Sequence, residues 1–453
     1  MREDREFRVL SPTGILGYGF PDASFAAGMK RDPDLIAVDA GSTDPGPYYL
    51  GAGRSFTTEV GVKRDLERIL AAAIPRSIPV VVGSCGGAGA AVHLEWCRDI
   101  AAEVAREQDL HFKIGLVYAD IERERVRRAL TKGRISALDS VPLLTQQTLD
   151  ETTAIVAQMG MEPITEALDA GCSVVLCGRA YDPAVFSALP ISLGYDAGLA
   201  VHMGKILECA TIAADPGSGA DCCLGVLHRD RFTLEPLNPS RPFTRRSVAA
   251  HTLYEKADPY VLHGPGGHLD LHATTFTEIG DGRVEVGGSV FTPTHPYKIK
   301  LEGVRSRGFR TICVAGCRDP IMVSRIDEIL AAARESIAEL AELDETMDRL
   351  VFRVYGRNGV MGPLEPSPDR APRELGIVIE AVGPTQEEAS SLCATARSVL
   401  LHFGYEGRIS TAGNLAFPFS PSDVPMGEVF EFSVFHLMEI EDQGIFRRVE
   451  EQI

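Results

Sequence analysis

Residues 79–97 hold the densest group of side chains and turns able to do chemistry: Pro79-Val80-Val81-Val82-Gly83-Ser84-Cys85-Gly86-Gly87-Ala88-Gly89-Ala90-Ala91-Val92-His93-Leu94-Glu95-Trp96-Cys97. A β-branched apolar run passes at once into a Gly-rich turn, and the turn opens into a helical pattern. That order presents backbone N–H groups and the positive end of a helix dipole to an anion. Glycines there let a ligand approach the backbone closely. The spacing is neither a Walker A loop nor Gly-x-Gly-x-x-Gly, so it specifies an anion without specifying a nucleotide. On this reading Ser84, Gly86, Gly87 and Gly89 bind substrate, and His93 is an acid/base candidate beside them. The competing reading is a tight turn between a buried strand and its helix.

Further candidates lie just past other strand-like runs. Asp39 ends the apolar run Leu35–Asp39, where an unpaired carboxylate is unwelcome. Asp44 follows in the turn Gly41-Ser42-Thr43-Asp44-Pro45-Gly46. Arg179 and Asp182 follow Ser173–Cys177, and a desolvated guanidinium there suits capture of a carboxylate or an internal ion pair with Asp182 or Asp39. Asp120 and Asp182 also read as helix N-caps. In 195–209, His202, Lys205 and Cys209 share one helical stripe with Glu208 beside it. They fit either proton transfer or a Lys205–Glu208 surface pair with a core histidine. The Gly- and Asp-rich stretch 215–222 reads as a loop able to close over a ligand. His268, Asp270 and His272 alternate on one strand face, which fits a solvated edge better than a metal site; no metal is expected.

The elements that must position these groups alternate along the first 215 residues. Strands are expected at Phe7–Leu10, Leu35–Asp39, Pro79–Gly83, Phe112–Tyr118 and Ser173–Cys177, apolar on both faces as parallel strands under helices are. Helices are expected at Asp22–Lys30, Val62–Ala73, Val92–Glu107, Ile121–Lys132 and Thr148–Ala170. The alternation predicts an α/β domain over 1–215 with an open, mostly parallel sheet, whose ligand lies beyond the carboxyl ends of its strands. Residues 216–318 read as a β-rich elaboration of that domain. Residues 319–453 read as an α+β domain: an amphipathic helix over 320–343, strands Leu350–Tyr355 and Leu375–Val382, a helix Thr385–Phe403 and a strand Val429–Met438.

Composition narrows the class. The chain has 453 residues, 45% hydrophobic and 24% charged, enough for two or three cored domains. A net charge of −18 argues against nucleic acid as a partner. No run of about 18 apolar residues exists, which argues against a membrane partner, and the first six residues are charged, with no apolar signal segment. The ten cysteines lie mostly in apolar contexts, which suits buried thiols in a reducing, cytoplasmic compartment. No cofactor fingerprint is present, so no cofactor is expected. The apolar segment Leu415-Ala416-Phe417-Pro418-Phe419 packs either on a partner subunit, making a homo-oligomer, or on the chain itself.

Several segments together resemble the acyclic terpene utilisation family: Val38–Asp44, the Gly83–Gly89 turn, Gly178-Arg179-Ala180-Tyr181-Asp182, Tyr355-Gly356-Arg357-Asn358-Gly359 and Gly413-Asn414-Leu415-Ala416-Phe417. The resemblance covers nearly the whole chain. It implies a Rossmann-like N-terminal part, a ferredoxin-like C-terminal part, and a hydration or lyase-type step on an unsaturated acyl-CoA or carboxylate. It carries over no catalytic residues.

The residues themselves lead to a lyase, hydratase or isomerase acting on a small anionic carboxylate substrate. Asp39, Asp182, His93 and His202 are its acid/base candidates, Lys205 gives electrostatic support, and the glycine turn and Arg179 hold the anion. The alternatives are an acyl-CoA hydratase of branched-chain or terpenoid acid breakdown, which needs a groove for the pantetheine arm, and a non-catalytic scaffold whose strand-end polar groups are only caps.

Overall fold

The computed structural model describes residues 6–138, 140–254, 258–341, 349–367, 372–409 and 411–453. The charged N-terminal residues 1–5 and the end of the expected helix at 342–343 lie outside them. The chain forms two compact units, Met1–Arg305 with Phe432–Ile453, and Ser306–Glu431.

Five parallel strands centre the first unit: β1 (Phe7–Ser11), β2 (Leu35–Asp39), β3 (Val80–Gly83), β4 (Lys113–Val117) and β5 (Val174–Cys177). They lie in the order β1-β2-β3-β5-β4. β2, β3 and β5 are buried at every residue, which explains their unbroken apolar sequences. Antiparallel strands extend both edges. Cys223–Leu227, Arg231–Pro236, Val284–Gly287 and Thr275–Glu278 continue outward from β1, and Arg448–Gln452 pairs with β4. The sheet is thus a mixed ten-stranded sheet with a parallel heart. Helix α1 (Ala91–Glu107) puts His93, Leu94, Cys97, Ile100, Ala101 and Val104 against it, in one core with Leu10, Ile36, Val38, Val80, Val82 and Leu176. Helices α2 (Asp182–Ser192) and α3 (Ala197–Leu207) follow β5; α3 is buried from Gly198 through Leu207, apolar almost all round.

One expected helix is not continuous. Residues 148–170 comprise a short helix Gln146–Glu151, a strand Ala154–Ala157 and a helix Glu162–Asp169. The strand pairs antiparallel with Leu301–Val304. The β-branched pair Ile155-Val156 within Ala-Ile-Val-Ala takes the extended form once a ladder is on offer.

In the second unit the order is strand, helix, strand, strand, helix, strand, the ferredoxin-like order. The sheet runs Leu350–Tyr355, Leu375–Gly383, Tyr297–Cys317, Asp423–Ile440, the first and last long strands being shared with the first unit. Ile326, Ile329, Leu330, Ala333 and Ile337 of one helix and Leu392, Cys393, Ala396 and Leu400 of Gln386–His402 cover Cys313, Ile377 and Ile379. The expected single helix from residue 320 is two, Pro320–Ser324 and Ile326–Leu340, interrupted at Arg325, whose φ of −116° is not helical. Leu415 and Phe417 pack into this core, leaving Phe419 exposed. No helix among the described residues is long and apolar enough to cross a membrane.

Candidate active site

The carboxyl ends of β2, β3 and β5 carry a buried cluster of charges. Arg179, two residues past β5, is 3% exposed. Its Nε donates to Glu302 Oε2 at 2.8 Å, and its Nη1 donates to Asp182 Oδ1 at 2.9 Å, to the Ala180 carbonyl at 2.8 Å and to Ser84 Oγ at 3.1 Å. None of these bonds uses Nη2. Lys300 Nζ reaches Glu302 Oε1 at 2.7 Å from the other side. Burial raises the pKa of the Glu302 carboxyl, but Arg179 and Lys300 outweigh it and bring it down to about 2. Burial likewise opposes the charge on Arg179, and Glu302 and Asp182 overcome it.

Ser84 is where β3 turns into the glycine segment. Its φ of 47° is a left-handed conformation uncommon for serine. That twist aims Oγ at Arg179 and at the Ala180 N–H, 3.3 Å away. Gly89 is held at φ +66°, and a Cβ there would lie 2.2 Å from Arg179 N. Its carbonyl accepts the Arg179 N–H at 3.0 Å. Only glycine lets the two turns lock at this distance.

Asp39 closes β2 beside this group. The carboxyl is 7% exposed, and Oδ1 has no hydrogen-bond partner among the described residues. Burial, and then the neighbouring Asp182 carboxylate, push its pKa well above the ordinary aspartate value, while Arg179 pulls the other way. Asp182 is the first residue of α2, behind an N-cap at Tyr181. It therefore pairs with Arg179 instead of capping the helix, and its side chain stays 26% exposed.

Lys205 and Glu208 form the next layer, 5% and 7% exposed. Lys205 Nζ donates to Glu208 Oε1 at 2.5 Å and lies 4.8 Å from the centre of the Tyr254 ring. The pair is buried, not a surface pair. Burial works against the ammonium, and Glu208 keeps it protonated. Asp182 and Glu208 act electrostatically on the same neighbours, Asp39, Tyr181 and Cys209, so the two layers are one polar body.

Four further groups singled out in the sequence are occupied by the protein itself. His202 is fully buried, with Nδ1 2.6 Å from Ser289 Oγ and Nε2 3.0 Å from Thr252 Oγ1. Burial, then Lys205, lower its pKa to about 3. Both nitrogens are taken by these hydroxyls, the arrangement of a core histidine. His93 shares its Nε2–H between the carbonyls of Tyr49 and Arg54, at 3.1 and 3.0 Å. It fastens that loop and packs on Gly86. The Gly86–Gly89 turn is itself filled by protein. A Cβ on Gly87 would lie 2.9 Å from Phe56 Cβ, one on Gly41 2.9 Å from Gly87 Cα, and the Gly86 carbonyl accepts the Phe56 N–H. The helix end behind the turn is answered from within the chain, because Asp120 takes the N–H of Ala91, the first residue of α1. Asp120 is not an N-cap; the following helix starts at Arg123 behind Glu122.

The 215–222 loop is pinned. Arg241 Nη1 donates to the carbonyls of Pro216 and Gly217, and Thr211 Oγ1 to that of Ser218 at 2.7 Å. Asp44 lies outside the cluster, on the wall of a separate cavity. Asp270 is taken by His272 Nδ1 at 2.9 Å, and no metal-holding group of three or more His, Cys, Asp and Glu is found among the described residues.

Sequence reasoning missed Glu302 and Lys300. They alternate with Ile299 and Leu301, a pattern that reads as a solvated strand face. Only the fold turns that face inward onto Arg179.

No curated protein and no solved structure matches this sequence. The family model described as acyclic terpene utilisation family protein AtuA matches residues 55–217 and 241–417, most of the length. The chain belongs to the acyclic terpene utilisation family.

Proposed function

We propose that this protein is an enzyme of lyase, hydratase or isomerase type that moves a proton on a small carboxylate substrate at the carboxyl ends of β2, β3 and β5. The observation that carries the reading is Asp39: a buried carboxyl with an unpartnered Oδ1 and a raised pKa, beside the Arg179-paired carboxylate of Asp182. Two carboxyls whose surroundings differ in this way divide the work. Asp39 holds a proton and acts as general acid; Asp182, paired with Arg179 and partly open, acts as general base. Arg179 offers its Nη2 edge to the substrate carboxylate, and Lys205 offsets the negative charge of Asp182 and Glu208. Ten free cysteines support a reducing, cytoplasmic setting. The exposed Phe419 supports burial against a second copy in a homo-oligomer.

The internal pairing of Arg179 favours a second reading, a non-catalytic scaffold in which the cluster only holds the strand ends together. One experiment separates the two. The protein is incubated in D2O with a panel of hydroxy, unsaturated and dicarboxylic acids and their CoA esters, and deuterium entry next to the carboxyl is followed by NMR. Exchange that is lost in Asp39→Asn and Asp182→Asn supports the enzyme. Absence of exchange across the panel, with no thermal stabilisation by any member, supports the scaffold.

A further inference from the structure

A cavity of about 520 Å³ opens in the first unit, with no residue of the Gly83–Gly89 turn on its described lining. Its size is that of sites taking small organic ligands, roughly 300–1,000 Å³. One wall is apolar, built by Leu144, Phe432 and Phe435; Thr43, Asp44, Thr148, Arg305, Ser433 and His436 are the polar side chains on the lining. His436 brings no charge to it. Its Nδ1 accepts the Phe435 N–H at 2.9 Å, so Nε2 carries the proton and donates to the Pro142 carbonyl at 3.0 Å. Lys300 stands behind the wall, 4.2 Å from the Phe435 ring centre, and is committed to Glu302. Among the described residues the charges on the lining are therefore Arg305 and Asp44. Arg305 is already partnered, by Glu151 among others; the Glu151 side chain is 43% exposed, and a guanidinium has donors enough for a ligand carboxylate to join it.

We propose that this cavity binds a free monocarboxylic acid with an aliphatic tail, its carboxylate on Arg305 and its tail between Leu144, Phe432 and Phe435. The lining argues against the corresponding CoA thioester. Such a ligand brings a diphosphate and a further phosphate, which call for several clustered cations, whereas the described residues of this wall set one arginine against one aspartate. The inference goes beyond the proton-transfer reading and does not depend on it, because it concerns binding alone.

The test is calorimetric titration of the full chain with octanoate, hexanoate and octanoyl-CoA. Octanoate should bind, and hexanoate should bind about 15-fold more weakly, about fourfold for each methylene lost. Octanoyl-CoA should bind no tighter than octanoate. Arg305→Gln should weaken octanoate about 10- to 100-fold, since a charged hydrogen bond is lost. Thr148→Phe, which fills the cavity from a partly exposed position, should abolish binding. Asp39→Asn should bind octanoate as the unaltered chain does, so failure of the catalytic reading leaves this result standing. The proposal is overturned by no binding of octanoate at millimolar concentration, by equal affinity for the two acids, or by tighter binding of the thioester. The tail-length comparison needs no variant, so a misfolded Thr148→Phe protein does not blunt the test.

Discussion

Arg179 and Glu302, 123 positions apart, meet at 2.8 Å with side chains 3% and 0% exposed. The chain has to bring the end of β5 and the strand Tyr297–Cys317 together before either charge is answered. A buried pair of this kind gives little net stability over an apolar substitute, but breaking it leaves a charge desolvated. Glu302→Gln should therefore cost about 3 kcal/mol in urea unfolding, since Asp182 is left as the ion-pair partner of Arg179 and Lys300 loses Glu302. A loss below about 0.5 kcal/mol would show that water reaches the pair.

Asp39 gives a pH dependence of definite sign. Its folded pKa is raised by burial and by Asp182. Its contribution to stability is thus complete below the ordinary aspartate value and is lost as pH rises through the folded value. Asn cannot ionise. The stability of the unaltered chain relative to Asp39→Asn should fall as pH rises above about 4, with a slope up to about 1.4 kcal/mol per pH unit. Parallel curves across that range would mean Asp39 is ionised like an exposed aspartate.

His202 has the opposite sign. Burial lowers its pKa to about 3 from an ordinary 6.5. The neutral ring is favoured in the folded state, so stability is full above the ordinary value and is lost as pH falls from about 6.5 toward 3. His251, also lowered to about 3, adds a similar loss. In His202→Gln the amide can still meet the hydroxyls of Ser289 and Thr252. That variant should unfold less steeply in acid than the unaltered chain, the difference reaching on the order of 4 kcal/mol. An unchanged acid limb would place the proton uptake elsewhere.

The contrast between these residues shows what was legible in the sequence. The five parallel strands were plain, because strands covered on both faces need unbroken apolar runs and these are bounded by turn residues. Asp39, Arg179 and Asp182 were found because a charged group directly after such a run must face either a site or a partner. Arg448–Gln452 gave no such signal: Arg-Val-Glu-Glu-Gln reads as a charged tail, yet it pairs with β4, its polar side chains standing at a sheet edge. Ala154–Ala157 was hidden by its length, four residues between two short helices. The roles of His93 and His202 were not readable at all. A histidine on an apolar helix face looks the same whether its partners are a ligand or two hydroxyls 50 and 87 residues away.

Gly89 offers the sharpest test of how the site is held. It and Gly133 have nearly the same φ, +66° and +67°. They differ in surroundings: a Cβ on Gly89 would lie 2.2 Å from Arg179 N and 2.6 Å from Gly178 C, whereas a Cβ on Gly133 meets nothing within 4 Å. Gly133→Ala should cost only the left-handed strain, about 1 kcal/mol. Gly89→Ala carries the same strain plus a backbone clash that no side-chain rotation relieves, so it should cost more than about 3 kcal/mol. It should also push Arg179 off Ser84, since the Arg179 N–H to Gly89 carbonyl bond and the Ser84 turn fix the same backbone. Thermal melts of the two alanine variants measure the difference directly. Equal losses would mean that the turns separate easily, and that Arg179 is positioned by its ion pairs alone.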